Sequence, residues 1–214
     1  MKKNYLRMIF VIDESGSMHG TELDVIGGIN TYIAQQQSEE AGKVDVSLYK
    51  FNDTVTRVFR NRPINKVQAV GSSDYCPNGF TALNDAVGQA IHETDADIAE
   101  INESDRPDVV MMIIVTDGKE NASTKFSHGA LKTLIASHEK LMNWKFIYLG
   151  ANLTDFDDAI QLGINRMSYT PKEKIGDKFK SISEASLRFR VGRPEDDDDT
   201  IMQDLMSDLN ENKE

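Results

Sequence analysis

Two short apolar runs, each ending at an aspartate, constrain this chain more than any other feature. Ile9-Phe10-Val11-Ile12 stops at Asp13, and Met111-Met112-Ile113-Ile114-Val115-Thr116 stops at Asp117. Neither run alternates polar with apolar residues as a half-wet strand would. Both therefore read as strands covered on two faces, as in a parallel sheet. The first opens onto Asp13-Glu14-Ser15-Gly16-Ser17-Met18-His19-Gly20. Asp-x-Ser-x-Ser puts one carboxylate and two hydroxyls on a single tight loop at the strand's C-terminal end, where open α/β sheets bind ligands. These are hard oxygen donors of the kind Mg2+ or Mn2+ prefers.

The rest of the chain alternates strand and helix signals. Ile26, Ile29 and Ile33 repeat at helical spacing from about Thr21 to Glu40. Residues 44–51 alternate as a strand with one wetter face should. The Asn52-Asp53 turn leads to a second alternating run over 54–59, giving a hairpin and the sheet's one antiparallel edge strand. Residues 60–79 are loop-rich. Leu83, Val87, Ala90 and Ile91 give a helix its apolar face, and Pro107 ends any helix before 109. Leu131, Leu134, Ile135 and Leu141 mark a further helix, and 144–149 a strand. A short helix over about 153–162, a strand over about 165–169 and a helix carrying Ile175, Phe179, Ile182 and Phe189 follow. The pattern predicts an α/β fold: a doubly wound, mostly parallel six-stranded sheet with right-handed crossovers and helices on both faces.

Two further segments could complete the oxygen cluster. Thr81 lies where the Pro77–Phe80 loop runs into a helix, and Asp117 ends the second buried strand. With these in view the chain resembles the von Willebrand factor type A (vWA) domain family over roughly residues 5–190. That family carries Asp-x-Ser-x-Ser, a separate Thr and a separate Asp as its metal-ion-dependent adhesion site. Asp13, Ser15, Ser17, Thr81 and Asp117 match all five positions in order. The resemblance implies that Ser15, Ser17 and Thr81 give hydroxyl oxygens to the metal. Asp13 and Asp117 would act directly or through water, also accepting hydrogen bonds from those hydroxyls. It further implies a partner protein whose Asp or Glu completes the coordination. Small stand-alone vWA proteins of bacteria and their phages are the most similar group.

Neighbouring residues carry weaker readings. Met18 is expected to plug the core beneath the loop, and His19 to be a solvated loop residue. Glu14 and Lys119, adjacent to ligand positions, are expected to meet a partner or water. Asp85 reads as a first-turn charge favouring a helix N-terminus, and Cys76 as inert. His92, His128 and His138 lack metal-ligand spacing and read as surface residues.

Charge separates a body, residues 1–191, from a tail, 192–214. The tail holds nine acidic and two basic side chains, so most of the net charge of −11 lies there. The body lacks the basic excess that a nucleic-acid binder needs. Glu195 to Asp199 is a like-charge block expected to be solvated or disordered. Beyond it Ile201, Met202, Leu205, Met206 and Leu209 share one helical face, so the tail reads as disordered or as a short amphipathic helix. It could dock on the body or on a partner, mediate self-association, or offer a carboxylate to a metal site. The single cysteine, the absence of a secretory h-region and the lack of an apolar span point to a cytoplasmic protein without membrane contact.

These features predict a metal-dependent interaction module rather than an enzyme. The competing reading is a haloacid-dehalogenase-like phosphotransferase with Asp13 as nucleophile. It is weakened because Ser15 stands where that chemistry places a second Asp. A receiver-like phospho-acceptor is weakened by the Ser-Gly-Ser loop in place of an acidic pocket.

Overall fold

A computed structural model describes residues 4–151, 156–192 and 196–211. Six strands form one sheet: β1 (Tyr5–Asp13), β2 (Lys43–Phe51), β3 (Val55–Pro63), β4 (Val109–Thr116), β5 (Trp144–Gly150) and β6 (Met167–Tyr169). Their order is β3-β2-β1-β4-β5-β6, all parallel except β3, which runs antiparallel on the edge beside β2. The helices are α1 (Glu22–Ser38), α2 (Leu83–Ala99), α3 (His128–Leu141), α4 (Phe156–Leu162), α5 (Ile175–Val191) and α6 (Asp198–Asn210). This is the architecture the sequence predicts. The expected first residues of α4, 153–155, lie outside the described residues.

The apolar runs are continuous because each strand feeds two cores. From β4, Val109, Met111, Ile113 and Val115 join the core under α1, α5 and α6, while Val110, Met112 and Ile114 join the one under α2, α3 and α4. β2 departs from expectation, since its alternation does not mark a wet face. Asp45 and Ser47 are buried, and each has a partner. Tyr5 Oη donates to Asp45 at 2.5 Å, and the Asn61 N–H donates to Ser47 Oγ at 2.8 Å. A buried polar side chain with a hydrogen bond is tolerated where an unpaired one is not.

α1 and α5 approach closely because Gly28 faces Phe179: a Cβ on Gly28 would fall 2.5 Å from the Phe179 ring and 3.1 Å from the Gly176 Cα. Their C-terminal ends are tied by Arg190, which donates to the Gln36 carbonyl at 2.9 Å and to its side-chain oxygen at 2.7 Å.

The tail contains a docked helix. Ile201, Met202, Leu205 and Leu209 of α6 are buried in the same core as β1 and α5. The acidic block opens this helix rather than repelling it. Asp197 caps the N-terminus through the Thr200 N–H at 2.7 Å, and Asp198 and Asp199 lie in the first turn, where the helix dipole favours negative charge. Arg188 of α5 holds Asp196 at 2.6 Å and Asp204 at 2.8 Å. At the other end the Leu209 carbonyl accepts from Ser168 Oγ at 2.6 Å and Lys178 Nζ at 2.5 Å. Glu195 lies outside the described residues.

His138 corrects its surface assignment: it is 2% exposed. Its ring packs edge-on against Trp144 with centroids 4.7 Å apart. Nε2 faces Asp95 at 3.0 Å and Nδ1 faces the Leu134 carbonyl at 2.8 Å. Two acceptors are satisfied together only by the imidazolium. Burial works against that charge, but the hydrogen bonds to Asp95 and Leu134 raise the pKa on balance. The pair therefore contributes fully below the unfolded value of about 6.5 and loses its contribution as pH rises through the elevated folded value. Asp95 is partly exposed, so the contribution is about 1 kcal/mol or less. Urea unfolding at pH 6 should show Asp95→Asn less stable than wild type, with the gap narrowing at pH 9. A gap that widened with pH would refute the imidazolium assignment.

Candidate metal centre

The chain runs outward from β1 to β3 and then returns to place β4 on the other side of β1. The C-terminal ends of β1 and β4 therefore flank the switch point where doubly wound sheets form a crevice. Asp13 ends β1, and Asp117 follows β4 directly. One turn of 3-10 helix, Gly16–Met18, folds the first loop back on itself, anchored by Met18, which is wholly buried as expected. Its Ser15 N–H donates to Asp13 Oδ1 at 2.7 Å.

The third loop is fastened to both others. The Gly16 N–H donates to the Gly79 carbonyl at 3.1 Å, and the Asn121 N–H donates to the Thr81 carbonyl at 3.0 Å. The Thr81 N–H donates to Asn121 Oδ1 at 2.8 Å. Tyr75 Oη reaches the Asp13 carbonyl at 2.7 Å.

These ties bring the five residues together. Ser15 Oγ and Ser17 Oγ lie 3.0 Å apart, and Ser17 Oγ donates to Asp117 Oδ1 at 2.6 Å. Thr81 joins them around Gly118. A methyl group built on that glycine would lie 2.8 Å from Thr81 Oγ1, 3.2 Å from Ser17 Oγ and 3.4 Å from Asp13 Oδ2. Oxygens from three separate loops thus surround one small space. Among the described residues no group of three His, Cys, Asp or Glu side chains is placed to hold a metal. Any cation here must accept hydroxyl donors, and three hydroxyls with two carboxylates suit a hard divalent ion.

Asp13 is fully buried. Burial pushes its carboxyl up to about 6 against hydrogen bonds from Thr116 and Ser15, and the nearby Asp117 charge adds to the rise. Thr116 Oγ1 donates to Asp13 Oδ2 at 2.5 Å, fixing the carboxylate toward the site. Thr116 was not singled out by sequence, although it directly precedes the candidate ligand Asp117 at a strand end.

Glu14 differs from expectation, and Asp85 and Lys172 take roles that the sequence did not reveal. Glu14 faces inward, pairing with Lys50 at 2.9 Å and accepting the Cys76 N–H at 2.5 Å. Asp85 sits in the first turn of α2, yet it accepts the N–H groups of Thr124, Lys125 and Phe126, so it shapes the loop after Asp117. Lys172, unremarked in sequence, reaches the Asp117 carboxylate and the Ser17 carbonyl from the turn after β6. His19 is exposed beside Glu22, Lys119 pairs with Asp157 at 3.5 Å at the surface, and Cys76 is exposed.

Solved structures with this fold include a von Willebrand factor type A protein from Catenulispora acidiphila, with TM-score 0.56 and 16% identity over 85% of this chain and 42% of that one. Proximal thread matrix protein 1 from the mussel byssus, with a zinc-occupied MIDAS motif, gives TM-score 0.57 and 14% identity over 86% of this chain and 46% of its own. Manganese-loaded TRAP protein of Plasmodium vivax gives 0.53 and 15% identity over 83% and 72%. The chain thus spans less than half of the first two. No curated protein matches its sequence. The family model for the von Willebrand factor type A domain matches residues 8–173. On that match, and on the sheet order, the chain belongs to the von Willebrand factor type A domain family.

Proposed function

We propose that this protein is a divalent-metal-dependent protein-interaction module. Asp13, Ser15, Ser17, Thr81 and Asp117 would hold Mg2+ or Mn2+, and an Asp or Glu of a partner protein would complete the shell. The observation that carries the reading is the convergence of Thr81, Ser17 and Asp13 oxygens around Gly118. When bound, the ion supplies an electrophilic point for a partner carboxylate, made stronger because three of its protein donors are neutral. The chain's own residues position it: Thr116 and the Ser15 N–H orient Asp13, and Asp117 orients Ser17.

Two exposed apolar side chains flank the ligand loops and suit a protein partner: Phe80, next to Thr81, and Leu23, at the start of α1. No helix among the described residues is long and apolar enough to cross a membrane. We place the module in the cytoplasm, on its low cysteine content, and assign it no catalytic activity of its own. Ser15, hydrogen-bonded within the cluster, occupies the position a dehalogenase-type mechanism gives to a general acid.

Thermal unfolding with and without millimolar Mn2+ tests the reading. A ligand bound only by the native state stabilises by about 2.7 kcal/mol at a hundredfold excess over Kd, which for a chain of this size is a rise of about 5–11 °C. Ser15→Ala and Thr81→Ala should each lose most of that rise. A wild-type melting temperature indifferent to both Mn2+ and Mg2+ would count against the metal site.

A further inference from the structure

We infer that Lys172 is a tethered cation that holds the metal's place, and that its displacement sets the affinity of the site for divalent ions. The inference rests on the metal reading above and concerns a residue outside the five ligand positions. Its ammonium lies on Asp117 Oδ2 and on the Ser17 carbonyl oxygen. Asp117 Oδ1 already accepts the Ser17 hydroxyl. Both oxygens of that carboxylate are thus engaged, one by a cation. An ion drawing on Asp117 must compete with Lys172 for it.

The need for a cation follows from burial. Asp13 and Asp117 are 0% and 5% exposed and stand on adjacent loops. Two shielded carboxylates without a nearby positive charge carry a large desolvation cost. Lys50 does not meet that need, because it is committed to Glu14. The two lysines differ in kind. Lys50 projects from within β2, and its side chain is 19% exposed. Lys172 sits in the short 3-10 turn Lys172–Lys174 after Pro171, and its side chain is 39% exposed. A flexible four-carbon stem on a surface turn can swing its ammonium into water at small cost. The position is therefore suited to a removable counter-charge, whereas the Lys50 pair is a fixed one. A spherical divalent ion can engage hydroxyls and carboxylates together. The ammonium, which only donates hydrogen bonds, satisfies Asp117 and the Ser17 carbonyl.

Two measurements test this, and neither depends on a partner. In the first, Mn2+ is titrated calorimetrically into wild type and Lys172→Met. Removal of the competing charge should tighten Mn2+ binding by about tenfold, the equivalent of about 1.4 kcal/mol. In the second, wild-type protein is acetylated at lysines with and without Mn2+, and the modification of Lys172 is followed by mass spectrometry. Mn2+ should raise the rate at Lys172 several-fold and leave Lys50 unchanged. Binding by Lys172→Met alone, with none by wild type, carries the same conclusion in a stronger form. Equal or weaker Mn2+ binding by Lys172→Met overturns the inference, as does a Lys172 acetylation rate indifferent to bound Mn2+. In those cases the metal site itself stands. If neither protein binds Mn2+, the metal reading falls and this inference falls with it.

Discussion

Leu205→Ala is expected to destabilise the protein by about 2–5 kcal/mol, the range for deleting a buried leucine side chain. Set against a typical total of about 5–15 kcal/mol, that is a large fraction. Leu205 lies in the acidic tail, where a solvated segment would make the substitution silent. It is 1% exposed, in one core with Ile201, Met202 and Leu209 and with residues of α5 and β1. The loss should appear as a fall in melting temperature of about 4–20 °C. Asp204→Ala, on the same helix but removing only the half-exposed ion pair to Arg188, should cost about 1 kcal/mol or less. A Leu205→Ala protein as stable as wild type would show that α6 does not stay docked in solution.

The contrast between body and tail shows what sequence could reveal. The runs ending at Asp13 and Asp117 were legible because a two-sided strand leaves an unbroken apolar signature, and the order of elements then dictated the sheet. Asp13 and Asp117 stand where those runs stop, but the candidate ligand set, with Ser15, Ser17 and Thr81, could be named only through its resemblance to the family's motif. Docking of α6 was not legible. Its apolar face was plain, but the surface that receives it, built from β1, α5 and β6, carries no local mark in the sequence. The like-charge block also argued for solvation until Arg188 and the helix N-terminus supplied partners. His138 misled for a related reason. A histidine between polar residues reads as surface, and only the fold brings Asp95 and Trp144 to it. Glu14, Asp85 and Lys172 share that fate, since each answers to a residue at least 36 positions away.

Gly118→Ala is the substitution expected to separate metal binding from folding most cleanly. No positive φ is imposed at Gly118, so alanine can adopt its backbone conformation. The conflict is with side chains alone. The new methyl would stand 2.8 Å from Thr81 Oγ1, too close for both to remain. Thr81 can relieve it by rotating about χ1 to another staggered well, which carries its hydroxyl away from Ser17 and Asp13. The strain costs about 1–3 kcal/mol of stability, as overpacking usually does. The site loses a donor outright, and Mn2+ affinity should fall by about 10- to 100-fold, as when a partner that orients a metal ligand is removed. Gly129→Ala is the matched control, because an added Cβ there meets nothing within 4 Å. It should leave Mn2+ binding unchanged and stabilise α3 slightly. Calorimetric titration with Mn2+, together with far-UV circular dichroism, reads both effects on the same samples. A folded Gly118→Ala protein that bound Mn2+ as wild type does would mean that Thr81 is not a ligand. The convergence around Gly118 would then be packing rather than a coordination site.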